Sequence, residues 1–318
     1  MVGSKNLYFA PDSCYDSMKI MCEAGGLKLK NPTILAAGVL GTTGASLKRV
    51  ASMGAGAVVT KSIGAQPAMG HHNPTMVKLE CGFINAMGLP NPSYRDFGQE
   101  LATAKEGKVP VIASIFGATP EEFGEVAVGL PGADAYEINV SCPHAKGYGM
   151  QCGTDPELVK AITKSVKAAV NVPVWVKLTP NVTDIRPIGL AAQDGGADAV
   201  VAINTLKSMI IDIDSGRPIL GNLSGGLSGP AVKPVAIKCV YDLYGSLDIP
   251  VIGAGGVSTW ADAIEFMMAG AAAVEIGSAV YEDMGVFASV SMGISDYLDR
   301  KSLTLESITG LAHTVVKG

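Results

Sequence analysis

From residue 31 the chain alternates short apolar runs with longer stretches whose apolar positions recur at helical spacing. The runs at 33–37, 57–60, 109–114, 135–140, 172–178, 199–203, 250–253 and 272–276 are largely β-branched and unalternating. That is the pattern of parallel strands covered on both faces. The intervening segments 46–52, 120–129, 156–170, 184–194, 232–244 and 259–269 predict helices. Asp155 before Pro156, and Ser258 with Thr259, supply N-cap chemistry. Gly195 and Gly196 close a helix ahead of the sixth strand. Eight strand–helix units predict a single α/β (β/α)8 barrel of the TIM type rather than an open doubly wound sheet.

Three connections are longer than a simple barrel needs. The loop after the second strand, within 62–108, contains Asn73-Pro74 and Pro90-Asn91-Pro92. The loop after the fourth strand is glycine-rich around Gly147 and Gly149, which suits a lid. The stretch 204–231 after the sixth strand reads as holding a hairpin, with 209–214 pairing towards 218–220. Residues 1–17 are polar and aperiodic, and residues 6–9 (NLYF) match part of a protease-recognition tag. They are set apart as an extra N-terminal segment, leaving 18–318 as the barrel.

Composition narrows the class. The 318 residues are 48% hydrophobic and 17% charged, ample material for one large core. A formal net charge of −5 argues against nucleic acid or an anionic membrane as the main partner. No apolar run would span a bilayer and no signal peptide opens the chain, so a cytoplasmic location is expected. The six cysteines, at 14, 22, 81, 142, 152 and 239, form no C-x-x-C pair. Neither a zinc site nor an iron–sulfur cluster is expected, and redox chemistry would need an organic cofactor or a partner. His71 and His72 lack a nearby third ligand and read as loop surface.

The strand ends carry the chemistry. Polar or glycine residues crowd one rim: Ala37 and Gly38, Lys61 and Ser62, Ser114, Asn139 to Cys142, Lys177, Asn204 and Thr205, Gly255 and Gly256, Gly277 and Ser278. Barrel enzymes place their active sites at this end. Merely solvated lysines would explain Lys61 and Lys177 poorly, because an ammonium at a buried strand end needs an anionic partner. The glycine loops after strands seven and eight suit a phosphate bound by backbone N–H groups. A phosphate beside Lys177 suits FMN, whose reduced ring is negatively charged near N1 and O2. The amides Asn85, Asn139 and Asn204 suit a planar ring of alternating C=O and N–H groups. Cys142, a thiol with an ordinary pKa of about 8.5, is the candidate proton-transfer group. Cys152, next to the Asp155 helix cap, reads as structural.

Several motifs together resemble class 1 dihydroorotate dehydrogenases, from about residue 18 to 300. They are Asn85-Ala86-Met87-Gly88-Leu89-Pro90-Asn91, Asn139-Val140-Ser141-Cys142-Pro143, Val176-Lys177-Leu178-Thr179-Pro180-Asn181 and Ile203-Asn204-Thr205. Gly225-Gly226-Leu227-Ser228-Gly229-Pro230 and Gly253-Ala254-Gly255-Gly256-Val257 complete the set. The segment from Asn204 to Asp212 looks like subclass 1B, the form coupled to NAD.

The resemblance implies oxidation of (S)-dihydroorotate to orotate in pyrimidine biosynthesis, with Cys142 as general base and FMN as hydride acceptor. It implies substrate contacts from Lys61, Asn85, Ala86, Met87, Gly88, Leu89, Asn139, Asn204 and Thr205. It implies FMN contacts from Ala37, Lys61, Ser62, Ser114, Asn139, Lys177, Ile203, Gly229, Gly255, Gly256, Gly277 and Ser278. It further implies a homodimer joined by a partner subunit carrying FAD and a 2Fe–2S cluster, which passes electrons to NAD.

Two departures keep alternatives open. His144 stands where the family usually has asparagine, as in the uracil-reducing domain of dihydropyrimidine dehydrogenase. Ser114 stands where asparagine is common. A reductase of uracil or thymine is therefore the first alternative. A non-redox phosphate-binding barrel isomerase or lyase, and a non-catalytic flavin scaffold, are the more remote ones.

Overall fold

The computed structural model describes residues 17–140 and 152–314. Cys142, His144 and the glycine-rich stretch 146–149 lie outside the described residues, as do residues 1–16. Among the described residues eight strands close into a parallel barrel in simple sequence order. They are β1 (Thr33–Leu35), β2 (Ala57–Val59), β3 (Val111–Ile115), β4 (Ala135–Asn139), β5 (Val174–Leu178), β6 (Ala199–Ala202), β7 (Val251–Ala254) and β8 (Ala271–Ile276). Each is one of the expected apolar runs. Closure is made by Val274, Glu275 and Ile276 of β8 against Thr33, Ile34 and Leu35 of β1.

The helices surround this cylinder: α1 (Gly44–Ser52), α2 (Tyr94–Lys105), α3 (Pro120–Gly129), α4 (Pro156–Ala169), α5 (Arg186–Asp194), α6 (Lys233–Tyr244), α7 (Trp260–Ala269) and α8 (Val286–Lys301). The expected caps form. Asp155 accepts from the N–H groups of Glu157 and Leu158, and Thr259 makes a reciprocal capping box with Asp262. Helices α2 and α8 go beyond the sequence pattern. The first lies inside the stretch expected to be an elaborated loop, started by the Ser93 hydroxyl.

Strand alternation sorts the core into two bodies. Tyr136, Ile138, Val174 and Val176 point outward and pack with Phe97, Phe123 and Phe266 of the helices. Ile34, Val59, Ile112, Trp175, Val201 and Ile252 point inward and fill the barrel. An antiparallel hairpin, Cys22–Ala24 with Leu27–Leu29, adds Ala24, Leu27 and Leu29 to that inner cluster. It plugs the end where the strands begin. Trp175, fully buried, donates its indole N–H to the Gly25 carbonyl at 2.9 Å. One end of the barrel is thereby sealed, and chemistry is left to the other.

At the open end the loops make structure of their own. The expected hairpin after β6 is present, as Ile211 and Asp212 pair with Pro218 and Arg217. Beyond it, Leu206–Ser208 pairs with Gly225–Ser228, which pairs with Gly82–Asn85 and then Met76–Leu79. The long loops after β2 and β6 are thus joined into one four-stranded antiparallel sheet. No helix among the described residues is long and apolar enough to cross a membrane.

Candidate active site

Inward positions at the ends of β4, β5 and β8 change from apolar to charged. Glu137, Lys177 and Glu275 follow Ala135, Trp175 and Ala273 at spacing two, so they face into the same barrel. They are 0%, 6% and 1% exposed, a buried ion cluster rather than a solvated rim. The Lys177 ammonium donates to Glu275 Oε2, and Glu137 Oε2 stands 3.6 Å away. Burial alone would lower the Lys177 pKa, but the two carboxyls outweigh it and hold the ammonium above its usual range. Burial, reinforced by the charge of Glu275, pushes Glu137 well above the ordinary carboxyl range. The anionic partner that Lys177 requires is therefore supplied by the protein itself.

Above this layer opens a cavity of about 760 Å³, within the roughly 300–1,000 Å³ usual for cofactor and small-molecule sites. Lys61, Asn85, Ala86, Met87, Gly88, Leu89, Asn139, Asn204 and Thr205 all line it. So do Ala37, Ser62, Lys177, Ile203, Gly229, Gly255, Gly256, Gly277 and Ser278. One expected residue is not brought to its wall. Ser114 is fully buried behind Ser62, its hydroxyl 2.9 Å from the Ser62 hydroxyl. Cys142 lies outside the described residues. His71, expected on the surface, is half-buried and lines the cavity, because its N–H bonds to the Met87 carbonyl at 3.1 Å.

The amides are held in one chain. Asn204 Nδ2 donates to Asn139 Oδ1 at 3.4 Å, and Asn139 Nδ2 donates to the Ser62 hydroxyl at 3.1 Å. The Thr205 N–H donates to Asn204 Oδ1 at 2.8 Å. Asn181 braces this wall from behind: its Nδ2 reaches the Thr205 carbonyl at 3.0 Å and its Oδ1 accepts from Lys207 N–H at 2.9 Å. The Leu178-Thr179-Pro180-Asn181 run was its only sequence signal. For Glu137 and Glu275, the signal was an acid at an inward position of an otherwise apolar strand.

Lys61 differs from Lys177. It is 6% exposed and lines the cavity, but burial pushes its pKa down and no carboxylate among the described residues pairs with it. A desolvated ammonium facing an open cavity is a strong anchor for an anion.

The glycine loops after β7 and β8 fit a phosphate-bearing cofactor. Gly255 and Gly256 hold φ of +122° and +83°, the left-handed region that favours glycine. A Cβ at Gly256 would stand 2.8 Å from the Gly229 carbonyl oxygen, so Gly256 and Gly229 pack backbone on backbone. The nearby Lys233 ammonium is engaged by Asp262 and Glu265, both at 2.8 Å. An anion held at this corner would be met by backbone N–H groups rather than by that ammonium. Among the described residues no cluster of His, Cys, Asp or Glu could hold a metal ion. Cys22 and Cys239 are pushed by burial to about 12 and about 11, and Cys152 is also raised by burial. Burial thus disfavours the reactive thiolate at each of them.

Fold and site together define a (β/α)8 barrel with a glycine cradle and a lysine-bearing cavity at the strand C-termini. The family model for dihydroorotate dehydrogenase matches residues 20–298, and the chain belongs to that family. Its similarity to curated relatives is extensive. It is 83% identical over 300 residues to the catalytic subunit of dihydroorotate dehydrogenase B (NAD(+)) from Methanocella arvoryzae, covering 94% of this chain and 100% of the relative. It is 55% identical over 290 residues to the protein of the same name from Pyrococcus abyssi, covering 90% and 97%. A crystal structure of DHODH from Eimeria tenella in complex with ferulenol has the same fold. Its TM-score is 0.83 at 22% identity, covering 97% of this chain and 92% of that one.

Proposed function

We propose that this chain oxidises (S)-dihydroorotate to orotate in pyrimidine biosynthesis, as the catalytic subunit of an NAD-linked dihydroorotate dehydrogenase B. The observation that carries this reading is the one cavity in which Lys61, Lys177, Asn85, Asn139, Asn204 and three glycine loops meet above a sealed barrel. FMN is the cofactor, and when bound it accepts the hydride from C6 of the substrate. Gly255, Gly256, Gly277 and Ser278 hold its phosphate through backbone N–H groups. Lys177 presents a fixed ammonium to the ring edge where negative charge develops.

Lys61 anchors the substrate carboxylate. Asn85, Asn139, Asn204 and Thr205 read the pyrimidine ring through hydrogen bonds to its C=O and N–H groups. The loop from Asn85 to Leu89, tied by the four-stranded sheet, closes over that ring. Cys142, three residues after Asn139 in the sequence, takes the C5 proton. The chain works in the cytoplasm as a homodimer. A partner subunit bearing FAD and a 2Fe–2S cluster carries electrons on to NAD, since no cysteine cluster in this sequence could do so.

Steady-state turnover on dihydroorotate against dihydrouracil tests the substrate. Activity confined to dihydrouracil would sink the reading in favour of the uracil-type alternative that His144 suggests. Cys142→Ala should retain yellow FMN and lose about 10²–10⁴-fold in turnover. A colourless wild-type preparation that takes up no FMN would remove every flavin reading.

A further inference from the structure

The acids beneath the cavity have no part in the mechanism above. Glu137 and Glu275 are buried side chains on strands from different parts of the barrel, and both converge on Lys177. Two carboxyls facing one ammonium exceed what pairing requires. Desolvating a second acid is expensive unless something offsets it. Both oxygens of Glu137, and Oε1 of Glu275, have no hydrogen-bond partner among the described residues. Glu275 and Lys177 line the cavity floor, whereas Glu137 lies one inward position below Asn139.

We infer that Glu137 and Glu275 are positioning residues that fix the Lys177 ammonium at the cavity floor and offset its charge, holding down the reduction potential of the flavin. The inference rests on the FMN reading above. An ammonium alone in such a low-dielectric floor would strongly favour the negatively charged reduced ring. Each carboxylate held against it subtracts from that pull. Glu275 does so through the direct bond. Glu137, whose burial favours its protonated form, stands 3.6 Å from the ammonium and offsets part of its charge when Glu275 carries none. The pair thus keeps the cluster close to electrical neutrality, and the flavin meets a weakened positive field. A flavin with a lowered potential passes its electrons onward more readily, as delivery to a low-potential acceptor requires.

The test is the midpoint potential of FMN bound to the full chain, measured by dye-coupled titration for wild type, E275Q, E137Q and the double variant. The isosteric amides keep volume while removing charge. The double variant should shift the equilibrium towards reduced FMN by tenfold or more, about 30 mV for a two-electron couple. E275Q alone should shift it in the same direction by less, because Glu137 then pairs with the lysine. A double variant within twofold of wild type, or one shifted towards oxidised FMN, overturns the inference. Should the double variant lose FMN, E275Q decides: a shift towards reduced FMN supports the inference, and no shift or the opposite shift overturns it. A wild-type chain that binds no FMN defeats the cofactor reading and this inference together. A wild type that binds FMN while the variants stay silent defeats the inference alone.

Discussion

The two ends of the barrel solve opposite problems with the same eight strands. At the plugged end, Ala24, Leu27, Leu29 and Trp175 fill the cylinder with apolar side chains. At the rim, two residues further along the same strands, a lysine and two acids are buried together and glycines hold left-handed backbone. Stability comes from the first region and is given up in the second. The lesson lies in β5, where Trp175 and Lys177 are neighbours on the inward face: one inward step along a strand divides scaffold from chemistry.

Substitutions at each end should separate these roles. The largest effect is expected from Trp175→Ala, which should cost about 3–5 kcal/mol in urea unfolding. It should leave FMN content per folded chain intact, and a parallel loss of cofactor would blur the division. Lys61→Met should do the reverse. Losing a charge-assisted contact of about 1.5–3 kcal/mol should raise KM for dihydroorotate roughly 10- to 100-fold. The melting temperature should hold or rise, because a desolvated charge is gone.

The same lysine gives a pH test. Its pKa lies below that of an ordinary lysine, so its charge is present at low pH and fades as pH rises through that lowered value. KM for dihydroorotate should climb on the alkaline side earlier than an ordinary lysine, near 10.4, would allow. A profile identical in K61M would detach Lys61 from the anion.

Gly256→Ala sharpens the comparison at the cradle. Forcing a Cβ onto φ +83° costs about 1–2 kcal/mol, and the methyl meets Gly229. FMN affinity, read by fluorescence titration, should fall about tenfold. The smallest effect is expected at the outer wall of β4. There Tyr136 donates its hydroxyl to the Leu130 carbonyl at 2.7 Å, and Tyr136→Phe should cost about 1 kcal/mol with kinetics unchanged.

Legibility followed distance along the chain. All eight strands could be read because a covered parallel strand announces itself within five or six residues. The rim residues could be read for the same reason: a lysine, an asparagine or a glycine at a strand end is a local signal, and of the expected residues among those described all but Ser114 line one cavity. Ser114 sits off the cavity wall with its hydroxyl against that of Ser62, and a serine's reach cannot be judged from spacing. The Lys177–Glu275 pair spans 98 residues and joins strands that are not neighbours in the barrel, which no local pattern encodes. The four-stranded sheet drawn from two loops was illegible too, since its strands are only three or four residues long and pair across the two loops. Helix α2 was hidden among the prolines that bracket its loop.

The hairpin stopper has a consequence for how the chain is made. Trp175 meets Gly25 across 150 residues, and β1 gains its second neighbour only when β8 pairs with it. A ribosome therefore emits the stopper long before the cylinder it closes. Until residue 276 is out, the barrel has two raw edges and its inner wall stays wet. Apolar strands must wait exposed through most of synthesis, which favours aggregation and reliance on chaperones. A chain truncated before β8 would lack a seam and not merely a segment.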